Sequence, residues 1–173
     1  MALLALTLAG CGFAQQQAAG ELVVRSARVT NNGDTTRLAL ALDCRLSAPM
    51  QDALDHGIPI TLRVDLHAGR WPQAQDTTQR VELRYFPLSR RYQLHVLDST
   101  DVRTFVAPAY LIAALGDLRI GLPQAFATLP AATPLRVSVG LDPAALPGAL
   151  RLPALFEPAW HLAGDYTWSV AAR

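Results

Sequence analysis

The side chains able to do chemistry in this chain are four histidines, a tight group of arginines, a few scattered carboxylates and hydroxyls, and two cysteines. His67 and His95 lie at the polar positions of alternating segments, and Asp65 shares its face with His67. Were those segments neighbours, the three could hold a divalent ion, although a solvated sheet face accounts for them more simply. His56 falls at the end of a short helix, where a cation interacts well with the helix dipole. No serine sits in a nucleophile-elbow context, and Ser99-Thr100-Asp101 reads as a turn rather than an activated hydroxyl. Glu82 stands between Arg80 and Arg84, so charge pairing explains it without acid catalysis. Gly116-Asp117 reads as a helix stop and not as a phosphate loop. Neither a catalytic residue, a metal site nor a cofactor is therefore expected. Arg84, Arg90 and Arg91 are the best case for a working surface, because they gather with Tyr85, Phe86 and Tyr92 around one hairpin. The guanidinium fork grips carboxylates and phosphates, although the same arginines could simply lie over their aromatic neighbours. Trp71, just before Pro72, falls in a loop as a candidate contact residue.

The two cysteines have different settings. Cys11 ends the run Leu8-Ala9-Gly10-Cys11, which resembles a bacterial lipobox, where cleavage before the cysteine leaves its sulfur to carry a diacylglycerol. Met1 to Gly10 is apolar but too short for a bilayer, which takes about 20 residues, so it reads as a signal core even though no basic residue precedes Cys11. Gly12 to Gly20 is rich in Ala, Gln and Gly and reads as a tether. Residues 1–20 are thus expected to be a signal remnant and flexible tether, and residues 21–173 one β-rich domain. Acyl chains supply about 0.8 kcal/mol per buried CH2, so two or three hold a protein on a membrane without a spanning helix. Cys44 occupies a register otherwise filled by Leu and reads as a small buried hydrophobe.

Composition supports a folded domain and narrows its partners. Apolar residues make up 51% of the chain and charged ones 17%, too hydrophobic for disorder. The net charge is +1, with 15 arginines, no lysine and 14 carboxylates, so no strong field attracts nucleic acid.

Period-two alternation dominates from Leu22 onward, the mark of half-buried strands. Leu38, Leu40, Leu42, Cys44 and Leu46 share one parity, with Ala39 and Ala41 on the other face, which suits a central strand. Ile58, Ile60, Leu62, Val64 and Leu66 oppose Thr61, Arg63, Asp65 and His67. Val81, Leu83 and Tyr85 form the apolar face of the next segment, and Tyr92, Leu94 and Val96 that of its partner. Leu135, Val137, Val139 and Leu141 repeat the rule, as do Tyr166, Trp168 and Val170. Asn31-Asn32-Gly33-Asp34 and Pro87 to Arg90 read as hairpin turns. Ser47 caps a helix over Ala48–His56 that Gly57 ends, and a second helix runs from Pro108 to Leu115. Prolines 143, 147, 153 and 158 predict an extended crossover from Asp142 to Pro158. The expected fold is mainly β: an antiparallel two-sheet, sandwich-like domain with two short helices.

The run from Arg45-Leu46-Ser47-Ala48-Pro49-Met50 through His56-Gly57-Ile58-Pro59-Ile60 resembles a segment of the bacterial family called domain of unknown function 4390. Val81-Glu82-Leu83-Arg84-Tyr85 with Leu88-Ser89-Arg90-Arg91-Tyr92, then Ala113-Ala114-Leu115-Gly116, then Trp160 through Trp168, resemble later segments of that family in the same order. The likeness covers nearly all of Leu22 to Val170. It implies a secreted or membrane-anchored proteobacterial protein with no assigned activity, often encoded near a sensor histidine kinase of the nitrogen-regulation type. Around Gly69-Arg70-Trp71 the chain departs from the family, keeping Trp71 where many relatives have further aromatics.

These readings give an expectation in two classes. The first is a non-enzymatic periplasmic lipoprotein, lipid-anchored through Cys11, that binds a protein partner in the cell envelope, a sensor histidine kinase among the candidates, through Arg84, Arg90, Arg91, Tyr92 and Trp71. The alternative is a carrier holding an apolar ligand between its sheets, which requires an enclosed cavity with one mouth.

Overall fold

The computed structural model describes residues 18–33, 35–70, 72 and 74–170. Cys11 and Trp71 lie outside the described residues. The alternating segments form two antiparallel sheets. Sheet one holds β1 (Glu21–Asn32), β2 (Thr35–Arg45) and β7 (Leu118–Leu122) in the order β1-β2-β7, which places β2 centrally as its two-sided pattern required. Sheet two holds β3 (Ile60–Ala68), β4 (Gln75–Phe86), β5 (Arg91–Val96), β6 (Val102–Phe105), β8 (Pro134–Leu141) and β9 (Ala163–Ser169), in the order β6-β5-β4-β3-β8-β9.

Burial follows sequence parity. Leu38, Leu40, Leu42 and Cys44 of β2 join Ile60, Leu62, Val64 and Leu66 of β3, Val81 and Leu83 of β4, and Leu94 and Val96 of β5 in one continuous core. In β1 the buried parity changes from Leu22 and Val24 to Ala27, because the pairing with β2 shifts register between Val24 and Ser26. Such a bulge adds a residue to one strand and bends it. At its start β1 approaches β9 closely: a Cβ on Gly164 would lie 2.5 Å from the Leu22 carbonyl oxygen, so only glycine fits there. The opposite flank is filled by α2 (Pro108–Ala113) and a 3-10 turn, Ala114–Asp117, which lead from β6 of one sheet to β7 of the other and bury Leu111 and Leu115.

The first helix forms as the sequence requires. In α1 (Ala48–Asp55) the Ser47 hydroxyl accepts from the Met50 N–H, Pro49 lies in the first turn, and Gly57 follows in the left-handed region at φ 82°. Met50 and Leu54, four apart, are fully buried.

The proline-rich stretch departs from expectation. Instead of an extended crossover, it folds into a 3-10 turn Pro143–Ala145, a third helix α3 (Gly148–Phe156) and a second turn Pro158–Trp160. Pro143 and Pro158 begin their turns and Pro147 occupies the cap of α3, positions where a missing N–H costs nothing. Pro153 alone interrupts a helix. Tertiary contacts offset it: Ala154 is buried, and Arg151 Nε donates 2.8 Å to the Leu146 carbonyl. Two short strands, β6 and β7, and the helix α3 thus add to the sequence-derived set, while the second helix ends earlier than expected, at Ala113.

Candidate functional site

The ladder registers decide which candidate residues meet. His67 pairs with Asp76 of β4 and His95 with Glu82 of the same strand, on its opposite side. Positions 76 and 82 are six residues, roughly 20 Å, apart along β4. The two histidines therefore cannot share an ion. His67 Nδ1 instead contacts the Asp76 carboxylate, while Asp65 accepts from Arg63 Nε at 3.0 Å and from the Thr78 hydroxyl at 2.6 Å. Arg136 pairs with Asp165 at 3.6 Å on the same outer face. This face is a set of locally compensated charges exposed to solvent, worth little individually. Among the described residues no group of three or more His, Cys, Asp or Glu side chains is arranged to hold a metal.

His56 and Cys44 also take structural roles. The His56 ring contacts the Asp52 carbonyl at the end of α1, with Nδ1 at 2.7 Å. Cys44 is a buried free thiol, pushed up to about 12 by burial and secondarily by Asp43, which keeps it protonated and unreactive at neutral pH.

The β4–β5 hairpin does assemble the arginine and aromatic residues, but on two faces. Tyr85 and Tyr92 are directly paired, their rings 4.6 Å apart and tilted by 35°, on the inner side over α1. The Tyr92 hydroxyl donates to Asp55 Oδ1 at 2.8 Å, and its pKa is pushed up to about 12 by burial first and this acceptor second. On the outer side Arg84 lies over the Phe86 ring at 5.3 Å, with Arg91 paired directly opposite Phe86. Arg84 also approaches Glu82 at 3.9 Å. Tyr92 is thus a brace behind the surface, and Arg84, Arg90 and Arg91 form the surface itself.

The tip Pro87–Arg90 was legible as a turn, but its role as a protrusion was not. Leu88 is 104% exposed, and Phe86 is 37% exposed at the root. Arg90 adopts φ 51°, the left-handed conformation in which hairpins of this kind usually place glycine. A non-glycine residue there costs roughly 1–2 kcal/mol, and such strain collects where a side chain serves a purpose.

Among the described residues, cavities beside sheet two lie on its outer face and at the pole away from the hairpin, lined by residues such as Arg63, Asp65, Arg136 and Ser138 in one case and Gly69, Arg70 and Pro130 in another. The space between the sheets is occupied by side chains, with Leu62, Leu83, Leu94 and Leu118 fully buried.

A model of the family Domain of unknown function (DUF4390) matches residues 19–169, and the chain belongs to that family. No curated protein and no solved structure matches it.

Proposed function

We propose that this DUF4390 protein is an exported accessory protein, lipid-held through Cys11 on the periplasmic side of the bacterial envelope, that acts by binding a membrane protein partner and not by catalysis. A sensor histidine kinase is one such partner. The observation that carries the reading is the hairpin tip. It presents a fully exposed leucine flanked by Phe86, Arg84, Arg91 and a strained Arg90, on a scaffold whose other charged face is internally compensated. Exposed apolar side chains mark interaction surfaces, and arginine is among the residues enriched at binding hot spots. The Tyr92–Asp55 bond and the tyrosine pair hold the hairpin against α1, so the surface is presented with little ordering cost. A packed interior argues against the alternative, a carrier with an apolar ligand between the sheets.

The test is a photo-cross-linking residue at Leu88, with Thr167 on the outer face of β9 as control, in cells carrying the full chain. The reading expects one discrete envelope-protein adduct from position 88, weakened by Arg90→Ala with Arg91→Ala, and none from position 167. Equal, diffuse adducts from both positions, or adducts with lipid alone, contradict it.

A further inference from the structure

One pole of the sandwich gathers more than the hairpin. Near the end of β4, Leu83 pairs with Ile60 of β3, and Leu62 of β3 pairs with Leu141 of β8, so the hairpin, the start of β3 and the entry to α3 share an end. Gly20, the root of the N-terminal segment, packs there too: a Cβ on it would lie 2.9 Å from the Leu162 side chain and 3.3 Å from the His161 carbonyl, directly after the Pro158–Trp160 turn that follows α3.

α3 is apolar on two faces. One packs inward through Ala154 and Leu150. The other presents Leu152, Leu155 and Phe156, spaced three and four apart and 67%, 56% and 76% exposed. Arg151 is the only charged residue within the helix. A helix apolar on its outward as well as its inward face calls for a second apolar surface.

We propose that the Leu152–Leu155–Phe156 face of α3 rests in the lipid interface of the membrane that holds the chain. The inference rests on the anchored reading above. The argument for lipid as the occupant is distance. Nine residue-to-residue steps lead from Cys11 to Gly20, a span of at most about 30 Å at full extension. An acylated Cys11 therefore keeps this pole, and α3 with it, within about 30 Å of the membrane surface, close enough for leucine and phenylalanine to enter the boundary between headgroups and chains. The tether also raises the local lipid concentration seen by a face too small to bind on its own. The aliphatic tip of Leu88, with Arg84, Arg90 and Arg91 behind it, lies on the same pole, so a partner bound there is itself in or at the membrane.

The test couples the purified full chain through Cys11 to maleimide-headgroup lipid in vesicles of phosphatidylethanolamine and phosphatidylglycerol, Cys44 being buried and protonated. This step does not depend on acylation in cells. With Phe156→Trp, the added indole emission is expected to be quenched at least twofold by lipids brominated along the acyl chains. Leu152→Ser with Leu155→Ser, both at exposed positions, is expected to abolish that quenching. Added emission that aqueous iodide quenches and brominated lipid does not would overturn the proposal. So would self-association of the uncoupled chain that shields the same indole, because the face would then belong to a second copy. Failure of acyl labelling at Cys11 in cells would overturn the anchored reading instead, so the two failures are separable.

Discussion

The Tyr92 hydroxyl and the Asp55 carboxylate, 2.8 Å apart, join the β4–β5 hairpin to the last turn of α1. This bond links the candidate surface to the core, because α1 buries Met50 and Leu54. Tyr92→Phe removes it and is expected to cost about 1 kcal/mol in denaturant unfolding at pH 7.

The same bond fixes a pH dependence. The folded pKa of Tyr92 lies above the ordinary 10, at about 12. Its contribution is fully present below pH 10 and is lost as pH rises through 12. The ultraviolet difference titration between the native chain and Tyr92→Phe is expected to centre near 12, and a curve centred near 10 would contradict the assignment.

Arg90 separates stability from binding. Arg90→Gly is expected to raise stability by about 0.5–1 kcal/mol, relief of the left-handed backbone being partly offset by the greater freedom of an unfolded glycine. The same change should reduce cross-linking from Leu88. A variant that is less stable, or that cross-links as before, would remove strain as a mark of function here.

Gly164 tests the closed flank. Gly164→Ala drives a methyl toward the Leu22 carbonyl and is expected to cost about 1–3 kcal/mol. Gly121→Ala on β7, with nothing within 4 Å of its would-be Cβ, serves as control and should change stability by less than about 0.5 kcal/mol. Equal effects would mean that β1 and β9 do not meet.

Asp142 pins the entry to α3. Its carboxylate accepts from Arg80 Nε at 3.1 Å and from the Ala144 N–H at 3.1 Å. Asp142→Ala is expected to cost about 1–3 kcal/mol and to speed hydrogen exchange in α3 more than in β3. Uniform exchange across both would show that the segment is held by other contacts.

The sheets were legible in the sequence because burial on one face imposes an alternation, which Leu38 to Cys44 and Ile60 to Leu66 follow, with Ala39 and Ala41 making β2 two-sided and Thr61 the one buried polar position of β3. β6 and β7 escaped notice because four or five residues give too few alternations, although Leu118 and Ile120 do alternate. α3 escaped because prolines suggested extension. Three of the four in fact stand at turn starts or a cap, where proline belongs, and the signal that remained was the apolar spacing of Leu152, Leu155 and Phe156. At the hairpin, composition drew the arginines and aromatics together as one surface, whereas parity already set Tyr92 with Leu94 and Val96 on the inner face, and the structure leaves Phe86 on the outer one. The separation of His67 from His95 depended on strand order, which no local pattern encodes.

Membrane attachment at Cys11 is the claim on which the proposed role turns, and metabolic labelling with palmitate tests it most directly. The native chain is expected to take up label and fractionate with membranes, while Cys11→Ala takes up none and is released. Equal labelling of the two chains, or none in either, would contradict the account.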